Sequence, residues 1–223
     1  MPSLAQRVFS ECLGTAFLLA AVIGSGIMAQ RLAGGNGALA LLCNTLPTGA
    51  MLVVLILVFG PLSGAHFNPA VSLARALRGE LSWPATGLYV VAQIIGAIVG
   101  VWSAHLMFDM PVWQVSSTAR AGLGQWIAEA IATFGLIVTI FGCGARTPVA
   151  VPYAVGLYIT AAYWFTASTS FANPAVTLAR SLSDTFAGIA PAGVSAFVLA
   201  QLLGAFAAIA LARWLWPAPK SGS

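Results

Sequence analysis

Two asparagines and two glutamates carry most of the chemistry this chain can offer, and both pairs are split between its halves. Asn68 opens the segment NPAVSLARAL (68–77) and Asn173 opens NPAVTLARSL (173–182), so the motif recurs after 105 residues in a chain of 223. Asn is a strong helix N-cap because its side-chain oxygen accepts a backbone N–H of the first turn. Pro69 and Pro174 then fall at the first helical position, where the missing N–H costs nothing. Ala70 and Ala175 are small enough for two such ends to pack tip to tip. About ten helical residues reach roughly 15 Å, half of a hydrocarbon core. Two of these segments entering from opposite faces would complete one span, each with roughly half a positive charge at its midplane end. That arrangement disfavours a cation. With each Asn oxygen engaged in capping, its NH₂ group is left to donate to a passing neutral solute.

Glu11 and Glu129 each sit near the start of an apolar run. An embedded carboxylate needs partners. Each either holds the N–H groups of an irregular loop or anchors at the interface, and recurrence in both halves favours loop support. Gln93 and Gln201 lie in matching runs, AQIIGA (92–97) and AQLLGA (200–205), and read as interhelical hydrogen-bond groups. Gly96 and Gly100, like Gly204 and Ala208, permit close helix approach. His66, two residues before Asn68, either lines the passage or bonds to nearby backbone. His105 reads as interfacial. Two separated histidines and three unspaced cysteines (Cys12, Cys43, Cys143) offer neither a metal site, a cofactor site nor a disulfide framework.

These residues must be positioned by membrane helices. The chain is 60% hydrophobic and only 6% charged, with a mean hydropathy of +0.94. A soluble domain carries roughly 25% charged residues. Six spans are expected, at about 8–29, 38–59, 84–107, 124–143, 149–167 and 192–215. The first is read as a retained helix rather than a signal peptide. Trp83, Trp214 and Trp216, near span ends, fit an interfacial belt. Each half contains three spans, so the second must enter from the opposite face. The expected fold is all-α: six transmembrane helices and two re-entrant half-helices in one channel domain (1–223) of inverted repeats, about 1–108 and 120–216. With the N-terminus inside, Arg7, Arg75, Arg78, Arg146, Arg213 and Lys220 face the cytoplasm, against Arg31, Arg120 and Arg180 outside. This places both termini in the cytoplasm of a cell (inner) membrane protein surrounded by lipid. The net charge of +4 is scattered, with no basic patch for nucleic acid.

Two boxes in half-chain register, six spans, both glutamates and both Gln–Gly helices make the whole chain resemble the aquaporin and aquaglyceroporin family. SGAHFNPAV (63–71) is similar to its first signature. The resemblance implies a homotetramer with one pore per subunit, passing water or small uncharged solutes. It also implies an outer selectivity filter, where this chain departs from the pattern. Val176 stands where most members carry an arginine directly after the second box. Arg180 lies one turn further, matched by Arg75 in the first repeat, and is not assigned the filter role here. Thr177 stands where glycerol facilitators usually have aspartate. Thr48, twenty residues before Asn68, takes the second-helix position, and Ser170 the loop position. The fifth-helix position is Ala161 or Tyr163, depending on the direction of counting.

Thr48, Ser170 and Val176 make a wide, uncharged filter, which implies solutes larger than water. Polyols and neutral metalloid hydroxides such as arsenous acid fit, as in the bacterial aquaglyceroporins associated with arsenic resistance that the pattern resembles. The competing readings are a strict water channel, a secondary transporter built on broken helices and a closed junction protein. No nucleophile–base set supports an enzyme.

Overall fold

The structure, a computed structural model, describes residues 2–216, and every regular element among them is helical. Lys220, counted above for orientation, and the tail from Pro217 lie outside the described residues. The long helices are α1 (Leu4–Leu32), α2 (Gly37–Ser63), α4 (Trp83–Met107), α5 (Leu123–Arg146), α6 (Val151–Phe165) and α8 (Pro191–Leu215); the short ones are α3 (Pro69–Leu77) and α7 (Pro174–Arg180). All six long elements are apolar enough to cross a bilayer, α6 when extended by the 3₁₀ turn at Pro148–Ala150. The order long, long, short, long occurs twice.

Except for α6, which ends at Phe165, the spans run slightly longer than hydropathy implies, for local reasons. α1 starts at Leu4 because Ser3 and Gln6 form a reciprocal capping box. α2 continues through Pro47 and Pro61 to Ser63 and stops at Gly64, whose φ of 89° is a left-handed cap. Large apolar side chains such as Phe9, Leu157 and Leu199 point outward. This is the pattern expected when the surrounding solvent is hydrocarbon.

Buried polar groups and small residues organise the interior. α1 packs on α4 and α5 on α8. At these crossings Gly96 faces the Cys12 backbone and Gly204 the Ala130 backbone, so closely that an added Cβ would collide with the carbonyl oxygen. Each short helix crosses into the other half. Ala70, Val71 and Ala74 of α3 pack among α5, α6 and α8, while Ala175, Val176 and Ala179 of α7 pack among α1, α2 and α4. The two halves therefore interlock.

Candidate functional site

The two short helices begin at the centre of the molecule, and their caps are nearly identical. Asn68 Oδ1 accepts from the Ala70 N–H at 2.9 Å. Asn173 Oδ1 accepts from the N–H groups of Ala175 (3.0 Å) and Val176 (3.2 Å). The amide nitrogens do not simply face the passage, as the sequence reading expects. Asn68 Nδ2 donates to the Ala172 carbonyl and Asn173 Nδ2 to the Phe67 carbonyl, both at 2.7 Å. Each box thus ties down the loop of the other. An amide NH₂ has two hydrogens, so one remains on each Asn for the cavity that both residues line.

The loops entering the boxes are strained in register. Ala65 and Phe67, three and one residues before Asn68, have φ of 50° and 48°. Ser170 and Ala172, at the same offsets from Asn173, have φ of 50° and 48°. Non-glycine residues adopt this region only when their surroundings over-determine it. The two glutamates supply much of that determination. Glu11, fully buried, accepts from the N–H groups of His66 (2.9 Å) and Phe67 (2.7 Å), from Ser63 Oγ (2.6 Å) and from Gln93 Nε2 (2.9 Å). Glu129, also fully buried, accepts from the N–H groups of Phe171 (2.8 Å) and Ala172 (2.9 Å) and from Gln201 Nε2 (2.6 Å). Gln93 also donates to Ser72 Oγ (2.9 Å) and Gln201 to Thr177 Oγ1 (2.7 Å), each linking a long helix to a short one.

Ser63, Ser72 and Ser168 are not singled out by the sequence reading, and Thr177 is noted there only as a departure from the family pattern. Ser168 Oγ accepts from the Ser170 N–H as Ser63 Oγ does from the Ala65 N–H. A signal existed, because 63/168 and 72/177 share the 105-residue offset of the boxes.

One cavity follows both short helices. It is lined by Thr48, His66, Asn68, Val71 and Arg75 of the first half and by Tyr163, Ser170, Phe171, Asn173, Val176 and Arg180 of the second. Of the two fifth-helix candidates, Tyr163 is buried on the cavity wall, whereas Ala161 is exposed. Arg180, which the sequence reading kept apart from the filter, is 2% exposed and lines this same cavity. His66 lines the cavity too, with Nδ1 3.0 Å from Ser72 Oγ and its ring edge-on to Tyr89.

Other expectations change. His105, in the last turn of α4, faces the protein interior rather than the surface. It is fully buried, 3.0 Å from the Val112 carbonyl and 2.9 Å from Ser183 Oγ, joining the 108–122 connection to the loop after α7. Trp216 packs over Gly142 rather than projecting like Trp83 and Trp214. In the turn after α3, partial burial pushes the Glu80 carboxyl up. Hydrogen bonds and charge from Arg75 and Arg78 outweigh that and hold it below the usual carboxylate range. Among the described residues no cluster of His, Cys, Asp and Glu could hold a metal ion.

Two buttressed, interlocking half-helices lining one cavity between six apolar spans define a membrane channel. Residues 1–147 match the Major intrinsic protein family. The chain is 58% identical over 212 residues to "Aquaglyceroporin AqpS" of Rhizobium meliloti (strain 1021), covering 95% of this chain and 91% of that protein. It is 30% identical over 211 residues to "Probable aquaporin NIP4-2" of Arabidopsis thaliana, covering 92% and 72%. The X-ray structure of the aquaglyceroporin from Plasmodium falciparum superposes with a TM-score of 0.72 at 22% identity, covering 96% of this chain and 98% of that one, and shows the same fold. The chain belongs to the major intrinsic protein family, whose members are passive membrane channels rather than enzymes.

Proposed function

We propose that this protein passes small uncharged solutes wider than water, polyols or neutral metalloid hydroxides such as arsenous acid, together with some water. The observation that carries this reading is Val176 on the cavity wall, with Thr48 and Ser170 lining the same cavity. A valine directly after the second box leaves width that a guanidinium at that position would fill. Thr48 Oγ1 donates to the Asn44 carbonyl at 2.9 Å and keeps its lone pairs for a solute hydroxyl. Support also comes from the relatives: the 58% identical protein is named an aquaglyceroporin, and a "Glycerol uptake facilitator protein" of Streptococcus pneumoniae is 31% identical over 156 residues, 62% of this chain and 64% of that one. The proposed selectivity filter is Thr48, Tyr163, Ser170 and Val176. Asn68 and Asn173 act as midplane donors, Glu11, Glu129, Gln93 and Gln201 as supports of the loops, and His66 lines the cytoplasmic half.

The proposed setting is a homotetramer in the inner membrane with both termini cytoplasmic, each subunit one domain of inverted repeats at about 1–108 and 120–216. The test is osmotic swelling of proteoliposomes in water, glycerol, urea and arsenous acid. Glycerol and arsenous acid fluxes well above empty vesicles, non-saturating and independent of ion gradients, are expected. Water flow alone would establish a strict water channel instead, and gradient-coupled uptake a transporter.

A further inference from the structure

Arg180 ends α7, four residues after Val176, so both occupy one face of the helix. Side chains on a helix lean toward its N-terminus, and a long one covers the turn before its own Cα. Here the lean is extreme. The guanidinium carbon lies 3.3 Å from the centre of the Phe171 ring, and Phe171 precedes the Asn173 cap by two residues. The charged group has therefore reached back past Val176 to the loop where the cavity passes Ser170. Its Nε donates to the Ala187 carbonyl, which leaves the two terminal NH₂ groups for the neighbouring Tyr163 phenol and for the cavity.

Neither ion pair among the described residues involves this arginine, since both are on Glu80. A second guanidinium, Arg120, sits 5.0 Å from the same ring, held by the carbonyls of Gly188 (2.8 Å), Ser168 (3.3 Å) and Phe186 (3.4 Å). A buried charge without a carboxylate is costly unless something else solvates it. The Phe171 face and the Ala187 carbonyl do so here, with the Glu129 carboxylate acting at longer range and the cavity open to the remaining N–H groups. A second observation points to a ligand at the same level: Ser170 Oγ is buried, lines the cavity and has no hydrogen-bond partner.

We propose that Arg180 is a specificity-determining residue of the constriction, delivering from one turn further along α7 the fixed cation and paired donors that Val176 cannot provide. The division separates width from charge. Val176 leaves room for a solute broader than water. Arg180 and Ser170 present donors to a neutral molecule with two or more oxygens, such as a vicinal diol or a neutral hydroxide, and the guanidinium repels cations. This rests on the reading of the cavity as a pore for such solutes.

The test combines Arg180→Met, Arg180→Lys and a thiol probe. In proteoliposomes at equal protein content, Arg180→Met should raise cation leak at least tenfold and change the glycerol-to-water permeability ratio at least threefold. Arg180→Lys should keep cations out yet shift the same ratio, because it retains charge but loses the planar fork. Independently, Val176→Cys in a background lacking the native cysteines should react at least fivefold faster with an anionic methanethiosulfonate than with a cationic one. Equal thiol rates, or an assembled Arg180→Met protein with unchanged leak and ratio, would overturn the proposal and leave Arg180 as a tie to the Ala187 loop. If the native protein passes water but not glycerol, the wide-pore reading fails. The leak and thiol measurements still decide the role of Arg180.

Discussion

The two ends of the cavity are built on one plan and differ in how they treat charge. Arg75 and Arg180 occupy the same repeat position, at the far ends of α3 and α7. Arg75 is paired with Glu80 and stacks on Phe141, its guanidinium 5.1 Å from the ring. Arg180 makes no ion pair among the described residues and lies on Phe171. The loops differ correspondingly: where the first repeat carries His66, bonded toward Ser72, the second carries Phe171 beneath two guanidiniums. The scaffold around the boxes is shared, whereas the charge left facing the cavity is not. The two halves thus share what shapes the backbone and differ in what lines the cavity.

The largest expected effect tests the shared part. Replacing Glu11 or Glu129 with Ala leaves two buried N–H groups of a strained loop without an acceptor, at about 1–3 kcal/mol each. Both variants should lose thermal stability in detergent by similar amounts, measured as Tm, while flux through surviving protein stays independent of pH. A loss in only one would break the equivalence of the halves. Next come Asn68→Leu and Asn173→Leu, each removing a cap and a cross-loop bond. A cap contributes about 1 kcal/mol and a net hydrogen bond about as much. Stability should fall by about 2 kcal/mol in each, with conduction lost in swelling assays; normal flux in both would sink the two-half-helix mechanism.

Val176→Arg addresses the part that differs. Glycerol permeability should drop at least tenfold with water flow largely kept, and an unchanged ratio would remove Val176 from the constriction. The smallest effect is at the Arg75 end. Glu80 titrates lower in the folded chain than unfolded, so its ion pairs add stability above the ordinary carboxylate range, and that increment is lost as pH falls through its folded value. The pair is largely solvent-screened, so Glu80→Gln should remove under about 1 kcal/mol. The sign is checked by comparing Tm near neutrality and in acid, where the variant and the native protein should converge.

Much of this architecture was legible in the sequence. Apolar length alone marks six spans, and Asn-Pro-Ala before a short run marks a capped helix start. The helix ends were less legible, since the capping box at Ser3 and the continuation of α2 through Pro61 depend on individual bonds and packing. The site was readable where one repeat echoes the other. The bonds from each Asn amide to a carbonyl of the other loop were not readable: nothing in the type of residue 172 says that its carbonyl receives the Asn68 amide. The reach of Arg180 was hidden for a related reason. Position in the sequence places its Cα one turn beyond Val176, but the direction of a long side chain places its charge back at the loop.

The exchange of amide bonds between the boxes also has a consequence in time. The partner of the Asn68 amide, the Ala172 carbonyl, is 104 residues further along the chain. At roughly 5–20 residues per second the ribosome needs roughly 5 to 20 s to make it. During that interval the Asn68 amide has no Ala172 carbonyl to receive it. The newborn chain must therefore wait in an unfinished state, shielded by water, lipid headgroups or the insertion machinery, until its second half arrives to close it.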